Sequence, residues 1–248
     1  MNFLFLQMQS RLSHLRFYRG AVDGHPSPAF DNAISEFKAS VGFVKRPYFT
    51  GETLKKMDVD PSLFSLHPAP WMNEISRYLG MHEVRDRSAL MAWLKSDGKT
   101  LGDPSKLPWC GDAVETTMKA VLGHAGWIGN SDTKLRENPY WALYWLGFGA
   151  SVSVEEALWG SVAVFERNGG GHVGYVSGYD KERQRLLIRG GNQSDTVSDS
   201  WMDINGKSVR LRGLRWPMTA AGIPLLNSIS VPVPRLDSKN NRVETNLT

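Results

Sequence analysis

The chain has 248 residues, room for one large domain or two small ones at ~100–200 residues each, and either can bury a core without a metal or disulfide staple. Its single cysteine, Cys110, excludes an intramolecular disulfide, a zinc site built on several thiolates and a disulfide-stapled secreted fold. Net charge is 29 − 25 = +4 and the pI is about 9.2, which mildly favours an anionic polymer or surface, although no Lys/Arg run reads as a nucleic-acid stripe.

Residues 1–60 read as three short helices. Leu4, Met8, Leu12 and Leu15 fall at i, i+4, i+8 and i+11, a helical apolar stripe. The run Tyr18-Arg19-Gly20-Ala21-Val22-Asp23-Gly24 is a turn region. Pro28 suits the first turn of a second helix, which buries Phe30, Ala33, Ile34, Phe37 and Val41 and stops at Gly42. Thr50-Gly51-Glu52-Thr53-Leu54 opens the third. Residues 61–70, with Pro61, Pro68 and Pro70, read as a linker.

Residues 71–217 read as the main domain. Helices are predicted over 71–79, over 87–95 and from Cys110, and strands over 161–166, 172–179, 185–189 and 209–214. Helices followed by strands imply an α+β domain with an antiparallel sheet. Residues 218–248 read as a partly mobile extension ending in polar sequence. No stretch approaches ~18 consecutive apolar residues, so no membrane insertion is expected. The apolar start, Met1-Asn2-Phe3-Leu4-Phe5-Leu6-Gln7, lacks a basic flank and a small-residue cleavage site, so no signal peptide is expected.

Cys110 can be a packed thiol, an intermolecular partner or a reactive group. It lies in Pro108-Trp109-Cys110-Gly111-Asp112-Ala113-Val114, at the start of a helix whose apolar face is Val114, Met118, Val121 and Leu122 and which Gly123 stops. A helix N-terminus stabilises a thiolate, and its free N–H groups can hold an oxyanion. A thiolate nucleophile also needs a base. His14, His25, His67 and His82 precede the cysteine, and His124 falls ~20 Å from it at 1.5 Å per residue. His172 opens a strand in Gly169-Gly170-Gly171-His172-Val173-Gly174, where glycines permit close approach. The next strand ends at Gly190-Gly191-Asn192-Gln193, from which Asn192 could orient the ring. The ordered set is Cys110, His172, Asn192: nucleophile, base and orienter.

These stretches resemble a family of bacterial and phage cysteine hydrolases, the CHAP/NlpC-like amidohydrolase/peptidases. The carrying residues are Pro70-Trp71-Met72, Leu79-Gly80-Met81-His82-Glu83, Pro108-Trp109-Cys110, Gly171-His172-Val173-Gly174, Gly190-Gly191-Asn192-Gln193-Ser194-Asp195 and Leu214-Arg215-Trp216-Pro217. The sequence departs from that pattern at Gly111-Asp112 and at Gly160-Ser161, where the family commonly has Gly-Asp. Residues 1–60 separately resemble a three-helix peptidoglycan-binding domain, through Leu12, Leu15, Phe17-Tyr18, Gly20, Val22-Asp23-Gly24, Phe37 and Thr50-Gly51-Glu52-Thr53-Leu54. They depart from it at Arg16 and at Lys45-Arg46-Pro47.

The resemblance implies a papain-like fold and hydrolysis of a peptidoglycan amide, either the muramoyl–L-alanine bond or a peptide bond. It implies Cys110, His172 and Asn192 as catalytic residues, with Trp109, Gly171 and Gln193 contacting substrate and no metal or cofactor. The implied partner is the bacterial cell wall, reached from the host cytoplasm by holin-type release or from a virion, as by a phage lysin. The competing reading is a non-catalytic wall-binding or phage structural protein with a retired hydrolase fold. Residues 1–60 either bind wall or only dock on the main domain. Trp141 and Trp145, one helical turn apart, are candidates for sugar stacking.

Overall fold

The computed structural model describes residues 2–66, 69–218, 233, 235 and 236. Helices α1 (Phe3–His14), α2 (Pro28–Ser40) and α3 (Gly51–Met57) come first. Each has a local start signal. Asn2 accepts from the Phe5 N–H, Ser27 caps α2 ahead of Pro28, and Thr50 and Thr53 form a reciprocal capping box on α3. Gly42, at φ 82°, follows α2 in the left-handed region, as a C-terminal stop requires.

The expected linker is partly a 3-10 helix, Pro61–Leu66. His67 and Pro68 lie outside the described residues. Then follow α4 (Pro70–Ser76), α5 (Arg87–Leu94), α6 (Cys110–Asn130) and α7 (Thr133–Glu137). Gly123 (φ 67°, ψ 175°) breaks α6 into two helical pieces, so the predicted stop is a kink. A second 3-10 helix, Ala142–Gly147, precedes the strands.

Strands β1 (Ala150–Val152), β2 (Val162–Arg167), β3 (Gly170–Asp180), β4 (Arg185–Gln193), β5 (Thr196–Asp203) and β6 (Val209–Trp216) form one antiparallel sheet in the order β1-β6-β2-β3-β4-β5. The chain is thus mixed α+β. Four strands match the sequence reading. β1 and β5 were not anticipated. β1 is only three residues long, and β5 (Thr-Val-Ser-Asp-Ser-Trp-Met-Asp) is too polar to announce itself. Of the extension from 218 onward, only 218, 233, 235 and 236 are described, and the expectation of mobility there falls otherwise outside the described residues.

The sheet carries a core on each face. One contains Val162, Val164, Val173 and Tyr175 packed with Ala113, Val114 and Met118 of α6. The other contains Ala163, Phe165, Val176, Ile188 and Leu214. The first core runs without a break into α1–α3 through Leu4, Phe5, Phe30 and Leu54. The Phe5 and Trp159 rings meet edge-on at 5.5 Å, and Asn73 exchanges two hydrogen bonds with the Phe49 backbone. Arg189 of β4 is buried and bonds Asp31 of α2, Asp199 of β5 and Ser76 of α4. The first three helices are therefore docked on the rest of the chain through both apolar and ionic contacts.

Among the described residues, no helix is long and apolar enough to cross a membrane, and no group of three or more His, Cys, Asp or Glu side chains could hold a metal ion.

Candidate active site

Cys110 is the first residue of α6. Its seat depends on Gly111. A Cβ there would lie 2.6 Å from the Tyr140 carbonyl oxygen and 2.7 Å from that of Pro139. The backbone at 139–140 thus crosses directly over the helix start, and only glycine leaves room for it. This accounts for one half of the Gly111-Asp112 departure.

Asp112 accounts for the other half. Its carboxylate accepts from the Thr100 hydroxyl at 2.7 Å and the Leu101 N–H at 2.9 Å. It anchors the preceding loop. Burial raises its pKa to about 6 against those hydrogen bonds.

The thiol is 3 % exposed. Burial pushes its pKa up, opposed by the Val173 N–H, the Arg167 charge and the N–H groups of Gly111 and Cys110 itself. Those last two donors belong to the free N-terminus of α6, where an oxyanion would be held.

His172 is 2 % exposed, and its Nε2 lies 3.1 Å from Gln193 Oε1. The Gln193 amide nitrogen already donates to the carbonyl oxygens of Ile188, at 3.1 Å, and Ser198, at 2.6 Å. Both of its hydrogens are thereby committed, so its oxygen must face the ring. An oxygen can only accept, so Nε2 carries the imidazole proton and Nδ1 holds the basic lone pair. Burial lowers the His172 pKa to about 4, helped by Arg167 and opposed by the Gln193 bond. Ring and thiol are thus both neutral at pH 7.

The orienting bond was expected from Asn192. The partner at Nε2 is Gln193, which was expected to touch substrate. The cause is a bulge: Gly190 pairs with Ser198 and Gln193 with Thr196, so three steps along β4 match two along β5. The extra residue, with Asn192 at φ 56°, shifts the in–out alternation by one. Gln193, fully buried, has no access to an open groove.

Trp109, also expected at the substrate, is 1 % exposed. Its Nε1 donates to Glu83 at 2.8 Å, and its ring lies under Gly191, where a Cβ would come within 2.4 Å of it. It is a packing support beneath the β4 bulge. Gly171 lies against the Phe165 carbonyl and Leu143. Trp145 is fully buried, whereas Trp141 is 43 % exposed with its ring edge beside Gly170.

The structure brings Cys110 to the backbone of Val173, the residue after His172. It does not hydrogen-bond the thiol to the ring. In the β2–β3 ladder His172 pairs with Phe165, so its side chain shares the face of Phe165, whereas Val173 belongs to the α6 side. Sequence reasoning missed the contact of Gln193 with the His172 ring and Arg167 as the nearby charge. A signal for the first was a glutamine directly after the glycine pair. A signal for the second was an arginine at the end of the strand before the histidine hairpin.

No family model, curated protein or solved structure matches the chain.

Proposed function

We propose that the chain is a cysteine-dependent amide hydrolase of papain-like architecture acting on peptidoglycan, in the manner of a phage lysin. The observation that carries this reading is the fixed tautomer of His172. A buried glutamine with both amide hydrogens committed leaves Nδ1 as the only basic nitrogen, one residue from the N–H that touches Cys110.

His172 Nδ1 takes the thiol proton as Cys110 Sγ attacks the amide carbon. The Cys110 and Gly111 N–H groups hold the oxyanion. The C–N bond breaks as the imidazolium returns its proton to the leaving amine, and water activated by His172 hydrolyses the thioester. For the first step the ring must turn from the Phe165 face toward the α6 side, where the thiol lies against Val173, so the mechanism requires a rearrangement at the start of β3.

A second reading, a retired hydrolase fold that binds wall without cleaving it, is favoured by the burial of the thiol and the missing thiol–ring bond. Incubation of purified cell walls with the protein, followed by mass spectrometry of the products, decides between them. The hydrolase reading expects new amino termini, abolished by Cys110→Ala and by His172→Ala. L-alanine termini mean amidase, and other termini mean endopeptidase. Intact walls with retained protein favour the binding reading.

A further inference from the structure

Arg167 ends β2, and a two-residue turn through Gly169, at φ 78°, leads into β3. In the ladder Arg167 pairs with Gly170, while Phe165 pairs with His172. Side chains alternate along a strand, so Arg167 and His172 share one face as diagonal neighbours. The Arg167 charge bears on both Cys110 and His172. The nearest acid in sequence, Glu166, points to the other face and is committed to Arg210 and Arg212. Among the described residues Arg167 makes no ion pair or side-chain hydrogen bond, whereas the strand arginines Arg185, Arg189, Arg210 and Arg212 pair with carboxylates and Arg215 donates to the Phe148 and Gly149 carbonyl oxygens.

An unpaired guanidinium on the face of the candidate base lowers the His172 pKa and so weakens the base. A bound anion would cancel that penalty and use the planar fork. Directly across the ladder, Gly170 has no side chain, and the exposed Trp141 ring stands beside it. The ladder position opposite Arg167 is thus flanked by an exposed apolar ring.

We infer that Arg167 is a specificity-determining residue that receives a carboxylate of the substrate, carried on the residue next to the scissile amide. This rests on the hydrolase reading and narrows it to anionic peptides. A carboxamide in the same position cannot form the charge-assisted pair.

The test uses the full chain and two synthetic wall peptides that differ only in that group, free carboxylate or carboxamide. The expected kcat/KM preference for the carboxylate is roughly ten- to hundredfold, the scale of a hydrogen bond to a charged group. Arg167→Gln should bring the ratio close to one, chiefly by raising KM for the carboxylate form, and Arg167→Lys should restore part of it. Calorimetric binding of both peptides to the Cys110→Ala protein, with and without Arg167→Gln, supplies a readout independent of turnover. Cleavage without discrimination by the parent protein, or discrimination that survives Arg167→Gln, overturns the Arg167 assignment alone. Absence of cleavage with carboxylate-selective binding that Arg167→Gln abolishes overturns the hydrolase reading and supports the anion site. Absence of both overturns both.

Discussion

Gln193 and His172, 21 residues apart, are joined by one 3.1 Å contact that decides which ring nitrogen is basic. The contact is held from behind by two carbonyl oxygens, so the glutamine cannot flip without losing both hydrogen bonds. The expected consequence is a difference between neighbours. Gln193→Ala should lower kcat/KM by about ten- to a hundredfold, less than loss of the base itself at ~10²–10⁴. Asn192→Ala should cost less. Gln193→Glu should move the acid limb of the pH profile upward, because a carboxylate stabilises the imidazolium. Steady-state kinetics across pH on the three variants check this, and equal effects at 192 and 193 would remove Gln193 from the orienting role.

Thiol and imidazole are both neutral at rest, so proton transfer accompanies attack. The His172 pKa of about 4 is depressed. The neutral ring thus persists as pH falls, and activity should hold down to about pH 5, well below the ordinary histidine midpoint. The raised thiol pKa predicts slow iodoacetamide labelling of the free protein at pH 7, accelerating steeply in denaturant as burial is lost. Labelling followed by intact-mass spectrometry reads this directly. Fast labelling of the native protein at pH 7 would mean that the thiol is not sealed as described.

Two glycines hold the site together by what they lack. Gly111→Ala drives a Cβ into the Tyr140 and Pro139 carbonyl oxygens, and Gly191→Ala drives one into the Trp109 ring. Each should destabilise the fold by ~1–3 kcal/mol, the usual cost of overpacking. The Gly169→Ala control differs, since nothing lies within 4 Å of its Cβ and only its φ of 78° is strained. Denaturant unfolding of the three variants ranks them, and a neutral Gly111→Ala would contradict the crossing at 139–140.

The buried carboxylates of α6 make a pH-dependent contribution to stability. Burial raises Glu115 to about 7, against its pairing with Lys119. Lys119 in turn also bonds Asp97 at 2.8 Å. A carboxylate whose folded-state pKa is raised stabilises the fold fully below its unfolded value. That contribution is lost as pH rises through the folded value. Between about pH 5 and 7.5 the parent Tm should therefore fall relative to that of Glu115→Gln, and above about pH 8 the two should run parallel. Parallel profiles across the whole range would show that Glu115 titrates normally.

Removal of residues 1–60 should cost folding as well as any wall affinity. It uncovers Trp159 and leaves Arg189 without Asp31. Each lost large apolar contact is worth roughly 1.5–3 kcal/mol. The truncated chain should show a lower Tm, and wall retention and turnover of a soluble wall peptide should fall together. A truncated chain with the parent Tm that loses only wall retention would mean that the helices are an independent binding module.

Sequence alone determined the elements whose signals are local. The stripe from Leu4 to Leu15, the Ser27-Pro28 start, the Thr50 capping box and the Cys110 helix start all depend on neighbours within about four residues, where propensity and capping act. Four strands were legible because apolar runs between glycine-rich turns have few alternatives. The Cys110–His172 order was legible for the same reason. Only the tertiary structure decided the rest. Gln193 meets the His172 ring because a bulge shifts side-chain parity by one, and a bulge depends on how β4 pairs with β5. Trp109 became a support because β4 crosses above it at Gly191. Arg167 acquired its place beside His172 because two strands pair in one register. The first three helices joined the main core because Asp31 meets Arg189, 158 positions away. Cys110 entered as the residue that excluded disulfides. Its burial against Val173 and the neutral ring one residue away are products of packing, and no pattern of neighbours along the chain encodes them.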